Sequence, residues 1–436
     1  MGSKTFFKSM LIFSTMTLFF LPACKKSTEA YPGVASFSNA AVSNTQDGFG
    51  LVVDYSLAGI NGVSDFDSVG YVYTFDNVVY KEIFPDSIRL YSRFVSGKGA
   101  KNFSGQTYGI GLNSTVQVRP AVSYGGRISF GDEKTVVVNN NGLPKTTQSQ
   151  FIEQRNQMTC IAGNEGVLMG GGIIVNTQNQ LTTFYKLDPM AGTVAPVADI
   201  PGNAGCVGPM AYYRNGKYFL MGGKSNGVAT DKIWSYNPAS DVWAEEGTFP
   251  GGSSFAGFTA SSDNYLVAGC YRNGSDVPTT TVYKMDASGQ SWNELKSPPA
   301  DFKARSHAAA FIVGDYLYIS GGAANAYVEL KDTWKVNLIT EEWTRLPDAP
   351  LKFYGAAAFS FNDIGYLGMG ILKDDSGKGR KDLILGFDTQ TDQWFLYADG
   401  QVSLTGSQHI GCGFKMNNKG YLISTVQSPA NIHQVR

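Results

Sequence analysis

Histidine is nearly missing from this chain: 436 residues hold three, His307, His409 and His433. Cysteine is almost as scarce, with five residues at 24, 160, 206, 270 and 412, and no two of them form a CxxC pair. Without Cys/His clusters the usual zinc sites are excluded. No segment sustains an apolar period of 3.6 residues, which excludes a helical core. Charge of either sign is in short supply: 35 basic and 36 acidic side chains leave a net charge of −1. A polyanion finds no electrostatic footprint here, so nucleic acid is not an expected partner. Long apolar runs are absent as well, except for Met10 to Leu21, which is too short for a comfortable membrane span.

What is abundant is glycine, at 51 residues, together with 23 tyrosines and 27 phenylalanines. The segment from Arg305 to Trp343 gives them an order: an alternating apolar run, a Gly-Asp turn, a second run closed by Gly321-Gly322, a variable loop, a strand carrying Trp334 and Val336, and a last strand from Trp343. This is the pattern of one four-stranded antiparallel sheet. It recurs. Asp or Asn followed six positions later by Trp occurs at Asn237/Trp243, Asp286/Trp292, Asn337/Trp343 and Asp388/Trp394, and Asp188/Val194 keeps the spacing with Val. Successive copies lie 49 or 51 residues apart, a repeat period. An Asp or Asn opening the turn accepts hydrogen bonds from backbone N–H groups two residues on, and the chain reverses into an outer strand that sets an indole at a fixed height. Such a sheet cannot cover both its faces alone, so neighbouring sheets must stack radially.

Gly-Gly, a strand ending in Asp or Asn, and Trp six positions later resemble the kelch repeat of β-propellers. The doublet or its remnant stands at Gly171-Gly172, Gly222-Gly223, Gly269-Cys270, Gly321-Gly322, Met369-Gly370 and Ser424-Thr425. The resemblance implies a six-bladed kelch propeller over residues 145–436. The sixth blade runs out of chain after three strands, so a segment near 149–154, with Phe151 in the tryptophan position, is expected to close the ring. Cys160 and Cys412 would then fall on neighbouring inner strands, close enough to approach each other; the alternative is that they are small buried apolar side chains.

Ahead of the repeats, residues 25–140 carry seven short alternating runs separated by Gly, Asn, Asp and Ser, the pattern of a β-sandwich. Val116 to Phe130 resembles the closing hairpin of fibronectin type III modules. At the N-terminus, Lys4 and Lys8, the apolar run and Leu21-Pro22-Ala23-Cys24 resemble the signal peptide and lipobox of bacterial lipoproteins. That implies acylation of Cys24 after loss of the preceding residues, and a place in the cell envelope, by expectation at the outer membrane, with lipid as the only membrane contact. The fold class expected is thus all-β, a six-bladed kelch propeller preceded by a small sandwich.

A kelch propeller gathers the loops between second and third strands, and those between blades, around one mouth of its axial channel. Tyr271, Arg272, Arg305, His307, Tyr327 and Tyr354 fall in these loops and are the candidate ligand contacts, because aromatic faces stack and Arg offers a planar fork. A glycan or a protein is the expected ligand. Two enzyme families also use this fold. The copper-radical oxidases of the galactose oxidase type need an adjacent Tyr-His pair, whereas Ser306, Gln408 and Ile432 precede the histidines here. The sialic acid mutarotases need acid/base groups at the mouth, a part Arg305, His307 and Glu329 could play. Arg-Ser-His is equally the kelch consensus at this point, where its side chains bond loop carbonyls. No catalytic residue, cofactor or metal is assigned.

Overall fold

A computed structural model describes residues 33–435 except 46–49, 77–90, 108–113, 139–144, 151–152, 175–176, 178, 203–205, 378, 381–382, 400–411 and 425–429. Cys24 and the segment before it, expected to be a lipoprotein signal, lie outside the described residues.

The first 140 residues build two sheets. Ala35–Asn44, Leu51–Gly59 and Asn102–Thr107 form one; Tyr91–Ser96, Ser68–Asp76, Thr115–Tyr124 and Arg127–Phe130 form the other, with Lys134–Val137 pairing to Thr115–Tyr124. The described strands number eight where the pattern predicts seven. The additional one, Arg127–Phe130, returns from Thr115–Tyr124 over Gly125-Gly126, whose φ values of 56° and 74° suit a tight hairpin. Alternation sends Leu51, Val53 and Tyr55 inward from the first sheet and Val116 and Val118 from the second. The Tyr55 hydroxyl donates to Gly70 O at 2.6 Å and accepts from Gly70 N at 3.0 Å, so one buried side chain ties the two sheets together.

From residue 145 onward the chain forms six four-stranded antiparallel sheets. The fourth is representative: Ala309–Val313, Tyr316–Ser320, Thr333–Asn337 and Trp343–Leu346 pair in that order. Four of the five acidic or amide turn positions accept from the backbone N–H two residues on, and Asp286 accepts from the one three residues on. Asp188 Oδ1 accepts from Met190 N at 2.8 Å, Asn237 from Ala239 N at 3.0 Å, Asp286 from Gly289 N at 2.7 Å, Asn337 from Ile339 N at 2.8 Å and Asp388 from Gln390 N at 2.9 Å. The indoles that follow reach back to the sheet before their own. Trp243 Nε1 donates to Ala198 O at 2.8 Å, Trp343 to Lys296 O at 3.1 Å and Trp394 to Pro347 O at 3.3 Å. Trp243 also meets Phe184 of the first sheet at 5.0 Å between ring centres, and Trp292 meets Tyr212 of the second at 5.8 Å.

The glycine doublets turn the chain out of the second strand in left-handed conformation, at φ 66° and 90° for Gly222-Gly223 and 61° and 97° for Gly321-Gly322. A Cβ on Gly222 would stand 2.3 Å from Ser254 O in the segment leading to the next sheet. The register in the third sheet also shifts by one: Gly269 ends its strand, and Cys270, with φ 47°, takes the first left-handed position.

The sixth sheet orders Cys412–Met416, Lys419–Ser424, Asn431–Gln434 and Lys145–Gln148. Its fourth strand therefore precedes the segment expected, because Thr146 and Thr147 align with His433 and Ile432 and end the pairing before Ser149. Phe151 lies outside the described residues. The first strands of the six sheets stand side by side, that of the sixth touching that of the first. Cys160 and Cys412 form a disulfide across this junction, spanning 252 residues of sequence, while Cys206 and Cys270 are free and buried.

A crosslink over so long a loop restricts the unfolded chain strongly, by ~2–5 kcal/mol. We therefore expect the C160A/C412A double variant to melt at lower temperature than the parent in differential scanning calorimetry, and reductant to lower the parent's melting point but not the variant's.

Candidate functional site

At one end of the sheets, the segments entering the first strands of the first five sheets pair with the loops that follow their second strands. Arg155–Asn156 pairs with Ile173–Ile174, Ser254–Phe255 with Arg272–Asn273, and Lys352–Tyr354 with Ile371–Lys373. Single bridges link neighbouring sheets at the same level, Thr230 with Ser254, Thr279 with Arg305 and Leu330 with Phe353, while Val207 with Lys224 and Ser306 with Ala323 repeat the pairing inside the second and fourth sheets. The result is a rim of backbone pairs around the axial channel.

One turn inside this rim, equivalent residues of successive sheets join in a chain of hydrogen bonds. Gly208 N donates to Gln157 O at 2.9 Å, Ala256 N to Gly208 O at 2.7 Å, His307 N to Ala256 O at 2.7 Å and Gly355 N to His307 O at 2.8 Å. All five residues are left-handed, with φ between 53° and 65°. They line a channel enclosing a cavity of about 170 Å³, with Met158, Met210, Phe258 and the Cys160–Cys412 bridge deeper in its wall. Three of the five are not glycine, so the sequence carries no clear mark of this ring. Left-handed backbone at a side-chain-bearing residue is strained and persists where the surroundings enforce it, here through the shared hydrogen bonds.

The structure brings four of the six candidate contacts together. His307 lies in the channel wall with its ring centre 6.1 Å from Tyr327 and 5.9 Å from Tyr354, and the two tyrosines stand 6.4 Å apart. Arg272 places its guanidinium carbon 4.6 Å from the centre of the Tyr327 ring, a cation–π arrangement. The other two are elsewhere. Tyr271 points away from the mouth: it is buried, packs on Phe249 at 5.8 Å and donates its hydroxyl to Gly251 O at 3.0 Å. Arg305 is fully buried, with Nε donating to Lys303 O at 2.9 Å, Nη1 to Gly321 O at 3.0 Å and to Asp332 Oδ1 at 2.9 Å, and Nη2 to Asp332 Oδ2 at 2.5 Å. Its fork is spent on the sheet-to-loop junction, so it offers nothing to a ligand. Arg305, His307 and Glu329 consequently do not assemble as an acid/base set; Glu329 is bound to Lys373 at 2.5 Å.

Lys224 and Asp276 complete the cluster. Arg272 Nε donates to Asp276 Oδ1 and Nη2 to the Asp276 carbonyl at 2.5 Å, while Lys224 Nζ lies 3.8 Å from an Asp276 carboxylate oxygen and 3.8 Å from the centre of the Phe255 ring. Lys224 follows Gly222-Gly223 directly, and that position was the signal available in the sequence. Burial lowers the His307 pKa to about 4; the Arg272 charge adds to this, Asp276 opposes it, and Lys224 lowers it further. Burial also raises the Tyr354 hydroxyl, with Glu329 adding to the rise. Glu329 stays below the ordinary range although burial pushes upward, because Lys373 donates to it and carries a charge beside it. Among the described residues no group of three or more His, Cys, Asp or Glu could hold a metal ion.

With this geometry in view, residues 156–370 match the KLHDC2/KLHL20/DRC7 Kelch-repeats domain. Kelch repeats thus run through residues 156–370 of this chain. It is similar to Kelch-like protein terF of Aspergillus terreus (strain NIH 2624 / FGSC A1156), 25% identical over 285 residues, covering 62% of this chain and 61% of that protein. Kelch-like protein 23 of Homo sapiens is 22% identical over 260 residues, 56% of this chain and 43% of its own length. The chain thus spans less than two thirds of either relative. Among solved structures, that titled Structure of YjhT superposes with a TM-score of 0.50 at 17% identity, covering 66% of this chain and 95% of that one, which speaks for the propeller-like fold alone.

Two buried histidines tie stability to pH. His433, in the sixth sheet, bonds Thr146 Oγ1 through Nδ1 at 2.8 Å, and burial lowers its pKa from 6.5 to about 4. His307 is lowered to the same value. The unfolded chain binds protons that the folded one refuses between these limits, so stability is full above pH 6.5, falls as pH drops toward 4, and levels below. The slope is about 1.4 kcal/mol per pH unit for each histidine. Denaturant titrations between pH 7.5 and 4 should show the decline, and H433Q should flatten roughly half of it.

Proposed function

We propose that this protein is a lipid-anchored binding protein of the cell envelope, in which the six sheets are the blades of one propeller closed by Lys145–Gln148 and carried on an N-terminal sandwich. The Cys160–Cys412 disulfide supports an oxidising compartment, in keeping with the lipobox-like Leu21-Pro22-Ala23-Cys24.

The ligand we propose is a protein segment received at the channel mouth. The observation that carries this is the apolar rim: Val228, Val277, Tyr327 and Val328 are 70%, 44%, 43% and 57% exposed, on the mouth loops of three successive sheets. Exposed aliphatic groups clustered on one face suit a protein partner. Sugar recognition would favour several free aromatic faces, and of the candidate tyrosines Tyr271 is withdrawn into the core.

The test compares a displayed peptide library with a glycan array, both probed with the full chain in detergent. Peptide capture is expected, and Val228→Ser combined with Val328→Ser should weaken it about fivefold or more, in line with the loss of apolar interface area. Ile339→Ser, exposed at the turn end of the fourth sheet away from the mouth, should leave it unchanged. Binding confined to glycans would defeat the reading.

A further inference from the structure

The first sheet lacks the wedge that the next four carry. Val194 stands where Trp243, Trp292, Trp343 and Trp394 stand in the second to fifth sheets. At those junctions the ring meets an aromatic pair on the first two strands of the preceding sheet and the residue paired with it on its own third strand. Trp292 lies 5.8 Å from Tyr212, which stacks on Phe219, and Trp394 lies 5.0 Å from Phe387, itself 5.8 Å from Tyr318 of the fourth sheet. Between the sixth and first sheets the equivalent residues are Phe414 and Tyr421, again stacked with ring centres 5.5 Å apart, and Leu187, the strand partner of Val194.

A cavity of about 370 Å³ opens at this junction, lined by Leu187, Met190, Val194, Met416 and Tyr421. Its size falls within the ~300–1,000 Å³ of small-molecule sites. Closure of the ring of sheets does not depend on filling it. Gln150 N donates to Gly192 O at 2.7 Å, and a Cβ on Gly192 would stand 2.4 Å from Gln148 O, so backbone fastens the turn of the first sheet to the closing strand where indole N–H groups do so elsewhere. The Cys160–Cys412 disulfide secures the inner strands of the same pair of sheets.

We infer that this cavity is a binding site for a small, neutral, planar aromatic molecule of about the size of indole. Val194 and Leu187 supply an apolar floor, and Tyr421 an aromatic wall. Met190, which is 58% exposed, and Met416 bring flexible thioethers, whose sulfur makes favourable contacts with ring edges. The charged groups of the lining answer one another. Glu165 lies 3.9 Å from Lys186, and Asp188 Oδ1 accepts from Met190 N and Ala191 N inside its own turn. An ionic ligand would therefore lose hydration without gaining a partner, and a neutral ring would not. Asn164, Asp188 and Asn417 place the cavity at the turn end of the sheets, so it stands apart from the reading of the mouth.

The experiment titrates the full chain in detergent with indole, against a detergent blank, by saturation-transfer NMR and calorimetry. A saturable signal is expected, and benzoate should bind at least about tenfold more weakly because its charge finds no partner. V194W gives the chain its own ring in the slot; it should abolish indole binding and raise the melting temperature. M190E, at an exposed position that the fold does not require, provides a second reading through a loss of roughly fivefold or more. A parent chain without saturable indole binding would overturn the inference, as would a signal undiminished in both variants or benzoate binding as tightly as indole.

Discussion

The architecture depends on the indoles that the outer strands of four of the six sheets, the second to the fifth, send to the preceding sheet. A four-stranded sheet with two apolar faces is not stable by itself, and what converts six of them into one body is contact between faces. The tryptophans supply that contact twice over. The ring fills the gap near the outer edge, as Trp243 does against Phe184, and its N–H fastens to a backbone carbonyl leaving the earlier sheet, as in Trp243 to Ala198 O and Trp394 to Pro347 O. Aromatic area and a directed hydrogen bond from one side chain fix both separation and angle between sheets. The channel wall and the loop rim inherit their geometry from this spacing.

At the narrow end the same problem is solved by backbone. The linked residues Gln157, Gly208, Ala256, His307 and Gly355 hold neighbouring entry segments together by main-chain hydrogen bonds alone. Side-chain identity is therefore free to vary at these positions, and one of them presents an imidazole to the channel. This division, indoles outside and backbone inside, is what lets the mouth loops carry charge and aromatic groups that packing does not require.

Local chemistry was legible in the sequence and non-local chemistry was not. The Asp and Asn turns were readable because a side chain two bonds long can reach only its own turn, and the tryptophan spacing followed from them. The closing strand is hidden because Lys145–Gln148 is Lys-Thr-Thr-Gln, without an apolar mark, whereas the aromatic Phe151 stands a few residues beyond it. The roles of Tyr271 and Arg305 were hidden for another reason. Tyr271 follows a left-handed Cys270 that rotates the register and sends the ring inward, and Arg305 finds Asp332 some 27 residues away. Nothing in a linear pattern announces such a partner. The grouping of Arg272, His307, Tyr327 and Tyr354, by contrast, came from loop positions alone, since the repeat determines which loops meet.

Joining Cys160 to Cys412 makes the propeller a covalent circle, with consequences for mechanics and for proteolysis. Tension applied to the two ends of the chain would travel through the sulfur bridge and bypass the 252-residue arc between them, leaving most blades unloaded. A single protease nick anywhere on that arc would open a loop without releasing a fragment. Such a circle adds durability against cleavage and pulling independently of how stable the fold is.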